Sequence, residues 1–96
     1  MTIPVHRNTD KRICGHKTIV VGQDSVYANG LLIAVDRDPN NGGGGNLKAR
    51  NNNVYINNRL VVNDTPENAY PDGSCPAPLH CNPMTAEGSP DVFVGD

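Results

Sequence analysis

One phrase of this chain is written almost three times. Ser25-Val26-Tyr27-Ala28-Asn29-Gly30-Leu31-Leu32-Ile33-Ala34-Val35-Asp36 returns as Asn53-Val54-Tyr55-Ile56-Asn57-Asn58-Arg59-Leu60-Val61-Val62-Asn63-Asp64. Asp91-Val92-Phe93-Val94-Gly95-Asp96 starts the same way, and there the sequence ends. A repeated phrase in a small protein means one supersecondary unit used several times. Asn29-Gly30 lies between two apolar runs, the strongest local signal for a two-residue hairpin, because both turn residues need positive φ. Asn57-Asn58 holds the same place in the second copy, and Asn tolerates the left-handed region. Tyr27 to Tyr55 is 28 residues and Tyr55 to Phe93 is 38. Unequal spacing argues against a regular solenoid and for pseudo-symmetric hairpins joined by unequal loops.

The remaining segments read as connections. Residues 1–17 are polar and irregular, and Thr18–Val21 is a short β-branched run. Gly42-Gly43-Gly44-Gly45 reads as a flexible connector. A phosphate-cradling loop is not supported there, since no Lys-Ser/Thr follows and no helix begins. Residues 63–81 form a long loop with Pro66, Pro71, Pro76 and Pro78. No segment has helical periodicity. The expected class is all-β, in a single domain over residues 1–96.

A chain of 96 residues with 36 % hydrophobic and 4 % aromatic content builds a thin core. Such cores usually need a staple or a partner. A net charge of −2 gives no electrostatic basis for binding nucleic acid. No apolar run has the length of a membrane span. Met1-Thr2-Ile3-Pro4-Val5-His6 has no signal-peptide core, so synthesis in the cytoplasm without a leader is expected. The odd count of three Cys then favours reduced thiols and a metal role.

Five soft or borderline donors stand in two clusters: Cys14 and His16, then Cys75, His80 and Cys81. Cys-x-His places both side chains on one face of an extended segment. The Pro-rich loop could wrap an ion. Tetrahedral zinc takes four such ligands, and iron uses related sites. The alternatives are inert thiols, or a disulfide from Cys14 to Cys75 or Cys81, with His16 and His80 as ordinary surface imidazoles. His6 reads as a surface residue. Ser25, Ser74 and Ser89 have no base partner, and no HExxH-type arrangement exists, so an enzyme is not expected.

The phrases also resemble a known family. Gly88-Ser89-Pro90-Asp91-Val92-Phe93-Val94-Gly95 is similar to the glycine-serine-proline phrase of PAAR-repeat proteins, and the two long copies resemble its strand-turn-strand. Asp10-Lys11-Arg12-Ile13-Cys14-Gly15 resembles the family's ligand-bearing element, and Cys75-Pro76 through His80 its Cys-Pro…His loop. The resemblance covers about residues 10–96. It implies a small cone-shaped domain of three pseudo-symmetric hairpin repeats, near 10–38, 47–66 and 75–96. It implies a metal-stabilised tip with one structural ion, zinc ahead of iron, on Cys14, Cys75 and His80, with His16 or Cys81 as fourth ligand. The implied role is mechanical: a virion protein of the tail baseplate that caps a trimeric β-helical spike of a contractile phage tail. It would sharpen that spike against the host outer membrane. The other context the family offers is an adaptor on a type VI secretion spike that recruits effectors. The shortened third copy predicts an imperfect match to a threefold partner.

Overall fold

A computed structural model describes residues 3–49, 54–64 and 68–94. Among the described residues, eight two-residue strands carry the fold: β1 (Ile3–Pro4), β2 (Tyr27–Ala28), β3 (Leu31–Leu32), β4 (Leu47–Lys48), β5 (Tyr55–Ile56), β6 (Arg59–Leu60), β7 (Asn68–Ala69) and β8 (Phe93–Val94). They pair antiparallel as β1 with β8, β2 with β3, β4 with β7 and β5 with β6. Among the described residues the only helical turn is a 3₁₀ segment, Pro78–His80. The chain is all-β.

Both expected hairpins form. Asn29 and Gly30 have φ of 56° and 79°, and Asn57 and Asn58 have 54° and 64°. The two left-handed residues match the twist of the flanking strands. Tyr27 faces Leu32, and Tyr55 faces Leu60.

The shortened third copy is completed from the other end of the sequence. Phe93 pairs with Pro4 and Val94 with Ile3, so β8 and β1 make a third hairpin without a turn. The amides just beyond the three pairs are bonded alike: Ile33 N–H to Val26 O at 3.0 Å, Val61 N–H to Val54 O at 2.8 Å, and Val5 N–H to Val92 O at 3.0 Å. Residues 3–8, read from the sequence as irregular, are thus a structural equal of 31–36 and 59–64.

These three inner segments close on one another in a ring. His6 N–H donates to Val62 O, Val62 N–H to Ala34 O, and Ala34 N–H to His6 O, each at 2.9 Å. The flanking bridges follow the same cycle: Val5 with Asn63, Val61 with Val35, and Ile33 with Arg7. Val5, Ile33 and Val61 are spaced by 28 residues and all lie buried. A cycle of three leaves none of these inner amides as an open edge, which is how strands this short keep their polar groups paired.

Two small apolar clusters fill the interior. Val5, Ala28, Ile33 and Val61 form one, and Val20, Ala34, Leu47, Ala49, Val62 and Ala69 the other. The stock of Asp and Asn caps backbone amides between them. Asp38 takes the N–H groups of Val35, Val21 and Gly22 at 2.8–2.9 Å. Asp36 takes Ala49 N–H, as Asn8 takes Val20 N–H. With so little apolar area, these charge-assisted and amide bonds carry much of the order.

Arg12 is the largest fully buried side chain. It donates to Thr18 Oγ1 at 2.6 Å, Gly45 O at 2.7 Å, Pro83 O at 2.9 Å and Asp38 O at 3.2 Å. Burial lowers its pKa to about 10, opposed by its neighbours Cys14, Asp38 and Asp72, so it stays a cation at neutral pH. The guanidinium joins three loops, and those loops build the site below.

Candidate metal centre

Cys14 and His16 sit on a tight turn, not on an extended segment. Arg12 N–H bonds His16 O at 2.8 Å, Gly15 N–H bonds Arg12 O at 3.0 Å, and Gly15 takes φ of 93°. A left-handed glycine lets the chain reverse within one residue. The reversal still brings both side chains to one place.

The opposing wall is the loop 71–81. Asp72 N–H bonds His80 O at 2.9 Å, which closes the loop at its base. The Asp72 carboxylate caps Ser74 N–H through Oδ1 at 2.8 Å, an Asx turn that fixes its rotamer. Its other oxygen, Oδ2, is the meeting point of the cluster. His16 Nδ1 and His80 Nδ1 each lie 3.0 Å away, Asn40 Nδ2 donates at 3.0 Å, and Cys14 Sγ lies at 3.7 Å.

The floor is the glycine run. It is not a connector: Gly43, Gly44 and Gly45 take φ of 84°, 104° and 67°, and Gly73 N–H bonds Gly42 O at 3.0 Å. Gly42 lies directly against the imidazole of His16, where a Cβ would overlap the ring. Asn40 ties floor to wall, accepting from Gly42 N–H at 2.8 Å while donating to Asp72.

Burial of Asp72 would push its carboxyl pKa up. Hydrogen bonds from His80, the Ser74 amide, Asn40 and His16 outweigh that and hold it well below the usual carboxylate range. Burial pushes the Cys14 thiol up, helped by the nearby Asp72 charge and opposed by the His16 amide. A bound cation would reverse that balance and favour the thiolate.

Cys14, His16, Asp72 and His80 each offer one ligand atom, all within 4.8 Å of one another, in a group that could hold a metal ion. A tetrahedral site with bonds of roughly 2.0–2.3 Å has edges of about 3.3–3.8 Å, so only small rotamer adjustments are needed. One thiolate, one carboxylate and two neutral imidazoles carry −2, which a divalent cation neutralises. Sulfur and imidazole donors suit zinc and its transition-metal neighbours, not calcium or magnesium.

Three of the five donors expected from the sequence, Cys14, His16 and His80, therefore converge. The other two do not join them as ligands. Cys75 and Cys81 form a disulfide, so neither has a free thiolate to offer, and the expected set of Cys14, Cys75 and His80 with His16 or Cys81 gives way to the cluster of Cys14, His16, Asp72 and His80. A bridge from Cys14 to Cys75 or Cys81 does not form, and Cys14 is the free cysteine. Asp72 is not among the Cys and His donors that stand out in the sequence. Its signal was the Asp-Gly-Ser turn opening the loop that carries His80. His6, expected at the surface, is fully buried.

No protein-family model matches this chain, and no curated protein matches it.

Proposed function

We infer that this chain is a structural, non-enzymatic cap for a partner with threefold symmetry: the tip of a trimeric β-helical spike in a contractile phage tail. The observation that carries this reading is the three-membered backbone ring. A single chain can sit on a threefold axis in register only if it repeats its own contacts three times, and the His6–Ala34–Val62 cycle does so. Each of the three equivalent hairpins also exposes an aromatic residue, Tyr27, Tyr55 and Phe93. Rigid aromatics in solvent are the usual anchors of an interface.

On this reading the repeats are of PAAR type and the body narrows to an end locked by one structural ion, zinc ahead of iron. Cys14, His16, Asp72 and His80 hold that ion, and its role is to fix three loops that have little apolar core behind them. The spike trimer ends in open strand edges, and the cap covers them. The assembled tip meets the host outer membrane during contraction, as a component of the virion.

Native mass spectrometry with a trimeric β-helical spike protein tests this. One chain per trimer is expected, and replacing Tyr27, Tyr55 and Phe93 together by Ser is expected to weaken binding at least tenfold. Three chains per trimer, or no complex, would contradict the reading.

A further inference from the structure

The disulfide and the metal-ligating cluster lie on the same loop. Asp72 precedes Cys75 by three residues, and His80 adjoins Cys81. The bridge closes a separation of 6 residues around Pro76, Ala77, Pro78 and Leu79, all exposed. Besides the Asp72 N–H to His80 O bond at its base and the Ser74 N–H to Asp72 Oδ1 cap, the hydrogen bonds inside the loop are local: Cys75 N–H to Asp72 O at 3.2 Å, Ala77 N–H to Ser74 O at 3.0 Å, and His80 N–H to Ala77 O at 2.9 Å. None of the apolar cluster residues lies between 72 and 81. Asp72 is tied to the floor through Asn40 and the Gly73–Gly42 bond, but His80 hangs on the stretch 74–80, whose backbone hydrogen bonds among the described residues all stay within 72–80.

The other wall is anchored differently. Cys14 and His16 follow Arg12, whose guanidinium is bonded on all sides in the interior. Positioning therefore falls unequally on the two halves of the site, and the covalent link lies on the weaker half.

We propose that Cys75 and Cys81 are positioning residues of the metal centre, so that the site binds its ion tightly only when their disulfide is formed. The bridge holds His80 against Asp72 before the ion arrives, removing an ordering cost that a reduced loop would meet on binding. Metal occupancy is then linked to thiol redox state. The reduction is simple in balance: two electrons from a phosphine break the S–S bond, two protons complete the thiols, and the phosphine takes oxygen from water. This inference rests on the metal reading of the cluster.

The test uses cobalt(II), whose thiolate charge-transfer band reports the ligand sulfur. Wild type, oxidised and freed of metal, is compared with Cys75→Ser/Cys81→Ser, which has neither the bridge nor added thiols. Thiol counting should give one free thiol per chain before phosphine and three after. The double variant should bind cobalt at least tenfold more weakly, with the same one-thiolate band at saturation. Hydrogen exchange at His6, Ala34 and Val62 should remain protected in both proteins. Equal affinity in both, or three thiols in the untreated protein, would overturn the proposal while leaving the metal site standing. Loss of ring protection in the variant would also overturn it, since the bridge would then be a general staple. Absence of any cobalt band in oxidised wild type would remove the metal reading itself.

Discussion

Two residues show how little room this interior leaves for polar groups. Asp72 survives burial because every donor around it points at its carboxylate. His6 survives by staying neutral. It occupies the ring position equivalent to Ala34 and Val62, with Nε2 2.6 Å from Thr18 Oγ1 and Nδ1 2.6 Å from Glu87 O. Burial lowers its pKa from 6.5 to about 4; the Glu87 hydrogen bond and Asp10 oppose this, while Arg12 and Arg7 add to it. The sign follows directly. The unfolded chain takes up a proton near pH 6.5 and the folded chain does not, so stability is full above that pH and falls towards pH 4. The loss is about 3 kcal/mol over that window. Chemical denaturation of the metal-free protein between pH 7.5 and 4.5 should show it, and His6→Val, which copies Val62, should flatten the slope. Equal slopes in both proteins would show that His6 does not set it. None of this was legible in the sequence, where a lone His near the start has no marker of burial. Cys14, His16 and His80 were legible because Cys and His are scarce and chemically distinctive. Asp72 was one acidic residue among many.

At the scale of elements, the hairpins were legible and the loops were not. Asn-Gly and Asn-Asn dictate their turns by local backbone chemistry, which sequence carries in full. The glycine run has the same composition whether it is a tether or a packed floor. What decides is the partner, and that partner is His16, 26 residues earlier in the sequence. Gly42→Ala should therefore keep the fold and displace His16. Zinc affinity, read by competition with a chromophoric chelator, should fall at least tenfold. Unchanged affinity would mean that the floor does not set the imidazole. The pairing of Cys75 with Cys81 was equally closed to sequence reading: three cysteines allow three bridges, and only the loop geometry chooses among them.

The whole molecule is organised by the closure of three segments into one ring. The sequence displayed two complete copies of the repeated phrase and a third that stopped early. The missing strand was present all along, as Ile3-Pro4-Val5 opposite Val92-Phe93-Val94, but its likeness to Leu31-Leu32-Ile33 is too short to notice without the pairing. The backbone cycle within the chain is complete. Side chains at equivalent ring positions differ, as in His6 against Ala34 and Val62. Asn63 is another case. It is buried, and neither its amide nitrogen nor its oxygen finds a hydrogen-bond partner among the described residues, where the equivalent residues are Arg7, paired with Asp10, and Val35. An unmet buried amide costs about 1–3 kcal/mol, so Asn63→Val should raise the thermal midpoint in calorimetry. A lower midpoint would mean that the amide is satisfied in solution. The ring orders one part of the molecule, and the loops of the ligand cluster need a lock of their own.

That lock is tested most directly by metal analysis of protein purified without a metal column, wild type beside Asp72→Ala. Close to one zinc or iron per wild-type chain is expected, with little or none in the variant and a lower thermal midpoint for the variant. Metal-free wild-type protein, or equal metal content in the two proteins, would contradict it.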